Sequence, residues 1–344
     1  MSKMSERNMA TIRTIAELKG HPNADKLLVA VIDGWQCVTA KDNGFKQGDL
    51  VVYLEIDSWV PTEVASFLSK GKEPREYNNV KGERLRTIRL RGELSQGLIL
   101  PLSVLPDAPE SHYADGDVSE LLNVQKWERP MNAQVAGQAK GYFPEFIRKT
   151  DQERIQNQFK RMQPEHFADF YEVTLKIDGS SCTFFHKDGV SGVCSRNLEL
   201  KTDESNEGNA FVKMYRQLDI ESKLQALGKN IAIQGELFGE GINGNWEGIK
   251  GHQYMVFDIF DIDKQSYLTM DERHDIVGHL GLQHVPVIQW GRALDFKSVQ
   301  DFLEYASRPS IHNKVAEGVV FKSLTNPDYS FKAINNEYLL EGGE

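Results

Sequence analysis

Thr174-Leu175-Lys176-Ile177-Asp178-Gly179-Ser180-Ser181 sets a lysine at the end of an apolar strand, with a glycine turn immediately after it. A strand that ends this way holds an amine rigidly at the mouth of a cleft, and glycine lets a substrate approach the backbone. Lysine is a nucleophile only when neutral, so nearby cations or a metal must push its pKa well below the ~10.4 of a free side chain. An ordinary exposed lysine fits the same letters, and K-x-D-G arises by chance in roughly 5–10% of chains this long. The surrounding sequence has to decide between the two.

The 344 residues fit about two domains at ~100–200 residues each. Hydrophobic residues at 40% and charged residues at 26% exclude disordered, collagenous and coiled-coil classes. The longest apolar run, Leu27 to Ile32, is far short of the ~20 residues of a membrane span, and the polar start MSKMSERN lacks a secretory signal. These features predict a cytoplasmic protein with no membrane partner. Cys37, Cys182 and Cys194 are dispersed and odd in number, which argues against a disulfide framework or a cysteine-rich zinc site.

A net charge of −10 runs against a nucleic-acid protein, because phosphate binding is driven by Lys and Arg displacing counterions. The charge is unevenly divided, however. Residues 1–150 hold 20 Lys+Arg and 20 Asp+Glu, leaving 20 and 30 for residues 151–344, so the excess acidity lies in the second part. Within the neutral part, residues 70–91 carry Lys70, Lys72, Arg75, Lys81, Arg84, Arg86, Arg89 and Arg91 against Glu73, Glu76 and Glu83. That local excess of five is either an electrostatic footprint or the solvated face of a strand and hairpin.

From Thr11 to about Leu105, short β-branched runs (LLVAVI, QCVTA, DLVVYLEI, RLRTIRLRG, GLILPL) alternate with Gly and Asp turns, giving five or six strands suited to a small barrel. Residues 133–141, AQVAGQAKG, make the best linker, which puts the boundary at 135 between domains 1–135 and 136–344. The second part predicts strands at Tyr171–Leu175, Cys182–Phe185, Ile231–Leu237, Tyr254–Ile259 and Gly318–Ser323. A helix follows from the spacing of Phe211, Met214, Tyr215, Leu218, Leu224 and Leu227. A second follows a Thr269–Glu272 capping box, and a third covers Lys297 to Tyr305. Mixed strands and helices indicate an α+β domain.

Downstream of Lys176 come Ser195-Arg196-Asn197, Gly235-Glu236-Leu237-Phe238-Gly239, Tyr254-Met255-Val256-Phe257-Asp258, Glu317-Gly318-Val319-Val320-Phe321-Lys322 and Ser330-Phe331-Lys332. In this order and spacing the series resembles the covalent nucleotidyltransferases, the superfamily of polynucleotide ligases and mRNA capping enzymes. The resemblance implies an α+β nucleotidyltransferase (ATP-grasp-like ligase) domain and a role for each matching residue. Lys176 matches the nucleophile that attacks the α-phosphate of ATP to give lysyl-AMP. Gly179 belongs to the same nucleotide-binding motif. Phe257 matches the aromatic that stacks on adenine, although in a bare sequence the core-strand reading is favoured about two to one. Glu236 matches the contact to the ribose hydroxyls. Asp178 and Glu317, with Glu236, match carboxylates around a divalent ion, Mg²⁺ or Mn²⁺. Arg196 and Lys332 match phosphate contacts, and Arg196 also suits an acceptor 5′-phosphate. Lys322 matches a further nucleotide contact, with an outward strand position as its bland alternative.

Twelve residues follow Lys332, which leaves no room for the C-terminal OB domain of DNA ligases and capping enzymes. The β-rich domain comes first instead. Its His21-Pro22-Asn23-Ala24-Asp25-Lys26-Leu27 segment, with Asp33-Gly34-Trp35, Gly48-Asp49-Leu50 and Ser95-Gln96-Gly97-Leu98, resembles an RNA-binding OB fold. An OB module ahead of a ligase domain, joined through Phe143-Pro144-Glu145-Phe146-Ile147-Arg148-Lys149-Thr150-Asp151 with Arg154 and Gln156, is similar to the nick-sealing RNA ligases. That family implies a monomer whose partner is a nicked duplex with an RNA strand, gripped through Arg84, Arg86, Arg89, Arg91 and Arg196. The first domain is also expected to help organise a second metal on the β and γ phosphates, through His21 to Asp25 or residues 70–91. Two rival readings remain: an RNA-binding protein with a degenerate nucleotidyltransferase domain, and a DNA-sealing or capping enzyme. Intact Lys176, Asp178, Glu236, Glu317 and Lys332 oppose the first.

Overall fold

Runs of β-branched and aromatic residues cut by Gly, Asn and Asp make strands the dominant element from one end of the chain to the other. A computed structural model describes residues 7–106, 116–128 and 137–342. The chain divides into two compact units, Met1–Pro130 and Met131–Glu344. The boundary expected at residue 135 lies outside the described residues. The described end of the expected linker is not a free tether: it enters the strand Ala139–Tyr142, which pairs with Leu198–Leu200.

In the first unit, Leu50–Leu54 lies between Ala10–Thr14 and Leu98–Pro101, antiparallel to both. A second sheet orders Glu17–Gly20, Leu27–Ile32 and Trp35–Ala40. Met9, Ile12, Val52, Leu54, Val60 and Leu100 form the core. Among the described residues, eleven short strands between Ala10 and Pro101 replace the five or six expected, partly because the RLRTIRLRG run is broken in two. Arg84 ends one strand, and Ile88–Leu90 turns back on Glu93–Ser95 through Arg91 and Gly92, at φ 50° and 96°. Two successive positive φ values match the right-handed strand twist in a two-residue hairpin.

The second unit holds two large sheets. The five-stranded one orders Glu153–Arg154, Ser330–Ile334, Gly318–Ser323, Phe170–Lys176 and Val287–Ala293. The seven-stranded one orders Ala139–Tyr142, Leu198–Leu200, Val190–Cys194, Ser180–Lys187, Ile231–Gly239, His252–Asp261 and Ser266–Tyr267. Period-two alternation gives the five-stranded sheet two unlike faces. Tyr171, Val173, Val319, Phe321, Phe331 and Ala333 pack with Phe302 and Leu303 of the helix Val299–Ala306. Glu172, Thr174, Lys176, Val320, Lys322 and Lys332 take the alternate positions and so the opposite face. The long helical pattern predicted from Phe211 to Leu227 is two helices, Ala210–Gln217 and Ile220–Leu227, because Asp219 adopts φ 50° between them. Both pack on the seven-stranded sheet through Val212, Met214, Ile220 and Leu224. The Thr269–Glu272 capping box opens the helix Met270–His279 as expected. Cys37, Cys182 and Cys194 are all buried, reduced thiols. Among the described residues, no helix is long and apolar enough to cross a membrane.

Candidate active site

Lys176 is the last residue of its strand in one sheet, and Ser180 is the first of a strand in the other. The Ile177-Asp178-Gly179 turn is thus the chain's passage between the two sheets. Gly179 has to be glycine for space: a Cβ there would lie 2.5 Å from the Leu237 carbonyl oxygen and 2.9 Å from Glu236 Cγ. Its backbone is therefore pressed against the strand that carries Glu236, which pairs across from Ser181.

Three carboxylates surround the Lys176 ammonium. Glu317 lies just before the strand Gly318–Ser323, whose Gly318 is opposite Lys176, and its Oε1 is 2.7 Å from Lys176 Nζ. Burial alone pushes the lysine pKa down, but Glu317, Glu236 and Asp178 outweigh it and hold the amine protonated, above its ordinary value. Among the chain's own groups the net effect on Lys176 is the reverse of the depression expected for a nucleophile, because the nearby charges are anions. The carboxylates strain against one another in turn. Burial and the Glu317 charge push Asp178 up to about 7, opposed by Lys176 and by hydrogen bonds from Tyr338 and Asn243. Burial pushes Glu236 up to about 8, with Lys176 and Arg196 opposing and Glu317 and Asp178 reinforcing. Asp178, Glu236 and Glu317 are hard-oxygen donors of the kind that Mg²⁺ or Mn²⁺ takes.

Lys332 and Arg196 meet at Asp151, whose carboxylate is 3.7 Å from Lys332 Nζ and 3.5 Å from Arg196. Both expected phosphate contacts thus already converge on one anionic group. Phe257 is half-buried beside Leu175, Ile177 and Phe238. It owes its direction to a β-bulge: Gln234 pairs with Asp258 and Gly235 with Val256, leaving Phe257 as the extra residue. Tyr254, Val256 and Ile259 join the helix-covered core, so the bulge turns Phe257 and Asp258 both to the other side.

Two expected contacts are placed differently. Lys322 is neither on the surface nor open to a nucleotide; its side chain is 4% exposed, donates to the Phe257 carbonyl, and pairs with Asp258 at 2.6 Å. Arg84 is withdrawn from any RNA surface, because it pairs with Asp57 at 2.6 Å and stacks 3.8 Å from the Trp127 ring. Arg86, Arg89 and Arg91 are exposed, as a phosphate-binding role requires. His21 is likewise committed to the fold: its ring bonds the Leu90 carbonyl at 2.9 Å and the Asn23 amide at 3.0 Å. With Asn23 donating to the Arg91 carbonyl at 3.0 Å, the HPNADKL loop buttresses the basic hairpin.

Asn243 and Tyr338 escaped the sequence reading. Asn243 donates to the Gly179 carbonyl as well as to Asp178, and Tyr338 comes from the helix Asn336–Glu341. The signal for Asn243 was the glycine-studded run 239–251, where Gly241, Asn243, Gly244 and Asn245 all take positive φ.

An RNA ligase family model matches residues 169–334, and an OB-fold domain model matches residues 9–102. An RNA ligase of Naegleria gruberi, solved as a lysine-to-alanine variant with ATP and manganese, is 42% identical with a TM-score of 0.87, covering 96% of this chain and 98% of that one. The same Naegleria enzyme with pyrophosphate matches at 42% identity and 0.87, over 97% and 98% of the two chains. This chain belongs to the RNA ligase family. A glutamate-to-alanine variant of the Naegleria ligase with AMP and manganese aligns equally well, at 42% identity and TM-score 0.88 over 97% and 98%. Among curated proteins, none matches. The RNA ligase domain thus spans the two large sheets with Lys176 between them, and the OB fold forms the unit ahead of it.

Proposed function

We propose that this RNA ligase is adenylylated by ATP on Lys176, transfers AMP to a 5′-phosphate, and seals that end to a 3′-OH, RNA by preference, at a nick in a duplex. The observation that carries the reading is the convergence of Lys176, Asp178, Glu236 and Glu317 at the passage between two sheets, with Arg196 and Lys332 nearby. Lys176 Nζ attacks the α-phosphorus, a P–N bond forms, and pyrophosphate leaves with the electrons of the broken P–O bond. Glu317, within hydrogen-bond reach of the amine, is placed to take the proton that Lys176 must lose first. Asp178, Glu236 and Glu317 would hold Mg²⁺ or Mn²⁺, which supplies charge neutralisation at the phosphates and favours the neutral amine. Phe257 presents a ring for the adenine, and Glu236 lies where ribose hydroxyls can be accepted. Arg196 and Lys332 exchange Asp151 for phosphate oxygens, where a charge-assisted bond to a dianion is stronger. In the second step the AMP phosphorus passes to the 5′-phosphate oxygen and the P–N bond breaks; in the third, the 3′-OH displaces AMP.

Arg86, Arg89 and Arg91 supply exposed charge for the duplex backbone. The reading takes the protein as a cytoplasmic monomer; its three reduced, buried cysteines suit a reducing compartment. Incubation with α-labelled ATP and Mg²⁺ or Mn²⁺ tests the first step: wild type takes up label and Lys176→Ala takes up none. Label retained by Lys176→Ala would sink the assignment. Nicked duplexes with an RNA or a DNA 3′-OH then separate RNA sealing from DNA sealing, and failure to label at all favours a degenerate domain.

A further inference from the structure

Behind Phe257 lies a buried set of charges that the chemistry above does not use. Arg273, on the helix Met270–His279, donates to Glu172 Oε2 and lies 3.6 Å from Asp258 Oδ1. Lys322 completes the set at 2.6 Å from Asp258 Oδ2, and it is the cross-strand neighbour of Glu172. All four side chains are at most 5% exposed. Two carboxylates and two cations cancel, which is the condition for burying ions without stranding one.

Two histidines close the periphery. His284 donates from Nδ1 to the Val285 carbonyl at 2.7 Å, so its Nε2 accepts from Arg273 Nε at 3.1 Å. His274 donates to Glu172 Oε1 at 2.8 Å. Glu172, His274 and His284 converge within 4.8 Å, as metal ligands do. Glu172 and His284 already accept hydrogen bonds from Arg273 and His274 already donates one to Glu172, so a cation there would have to displace Arg273 and leave donors unmet.

What the set joins is more telling than what it neutralises. Glu172 is on the strand that ends at Lys176, in the five-stranded sheet. Asp258 is next to Phe257, on the bulged strand of the seven-stranded sheet. A buried ion network is weak as a source of stability, since apolar residues of similar volume often serve as well. Its advantage is directional: a guanidinium fork fixes two carboxylates at one spacing, which an ammonium cannot do.

We propose that Arg273 is a positioning residue for nucleotide capture, bridging Glu172 and Asp258 so that the strand of Lys176 and the strand of Phe257 stand one adenosine apart. Lys322 reinforces the bridge by holding the Phe257 carbonyl. The proposal rests on the adenylylation reading above.

The test is single-turnover labelling of the full chain with α-labelled ATP, for wild type and Arg273→Lys, which keeps the charge but not the fork. The ATP concentration giving half-maximal rate rises about 10-fold or more in the variant, while the maximal rate and the labelled fraction stay within about twofold. A residue that merely supported folding would lower the labelled fraction instead and leave half-saturation alone. A wild-type half-saturation in Arg273→Lys overturns the proposal. Where Arg273→Lys loses its cooperative thermal transition, Glu172→Gln gives the same readout. If wild type takes no label, the adenylylation reading fails separately, and equilibrium binding of a fluorescent ATP analogue to the same proteins decides the positioning role. Equal affinities there overturn it.

Discussion

If Lys176 is the nucleophile, as proposed above, it starts from the protonated amine, and the reason is visible side chain by side chain. Glu317, Glu236 and Asp178, the carboxylates proposed for metal and ribose, also stabilise the ammonium, so on that reading activation comes with the arrival of positive charge. Gly179 makes that crowding possible, since any side chain would push the turn away from Glu236. Gly179→Ala is expected to cost about 1–3 kcal/mol by overpacking and to reduce Lys176 labelling, both read from denaturant melts and the labelling assay. An unchanged melt would show that the Leu237 carbonyl yields easily. That Lys176, Asp178, Glu236 and Glu317 lie together was legible from the order and spacing of their motifs. Asn243 and Tyr338 were not, because any hydrogen-bond donor suits their task and no spacing rule ties them to Asp178. Lys322 and Arg84 show the converse: their letters fit a phosphate contact, but burial beside Asp258 and Asp57 determines what they do.

At the scale of elements, strand positions were largely readable from alternation, as in Gly318–Ser323, which was found with the expected bounds. The bulge at Phe257 and the break at Asp219 were not, because each depends on what the neighbouring strand or helix demands. The helix Met270–His279 carries a consequence for pH. His284 packs between Arg273 and the Val285 carbonyl, with Glu172 and His274 also facing it, and burial followed by the Arg273 charge depresses its pKa to about 3. The folded protein refuses a proton that the unfolded chain accepts at the ordinary 6.5. Stability from this group is therefore complete above pH 6.5 and is lost as the pH falls toward 3, at no more than about 1.4 kcal/mol per pH unit. Urea melts at several pH values should give a shallower slope for His284→Gln than for wild type between pH 6.5 and 4.5; equal slopes would locate the acid sensitivity elsewhere.

For the whole molecule, the negative total charge and a nucleic-acid substrate are compatible because the two are handled in different places. Acid residues gather in the ligase unit, while the basic hairpin at Arg89 and Arg91 projects from the OB unit, with its turn braced by His21 and Asn23. Composition alone hid this, and only counting along the chain revealed it. If Arg89 and Arg91 grip the duplex, replacing both by Ala lowers the slope of log affinity against log salt by about 2 for a nicked duplex. Lysine labelling, which needs no nucleic acid, stays at the wild-type level unless the hairpin also serves the β and γ phosphates, and so separates the two roles. A wild-type salt slope would remove the hairpin from the binding surface. The three cysteines add a practical property. Cys182 and Cys194 sit on strands of the seven-stranded sheet and Cys37 in the OB unit; burial keeps all three thiols from ionising, with Cys37 pushed up to about 12. With no thiol ready to react in the folded state, the native chain offers thiol-directed reagents no ready target. Alkylation then becomes a clock for opening, read separately in each unit: Cys37 times the loosening of one, Cys182 and Cys194 that of the other.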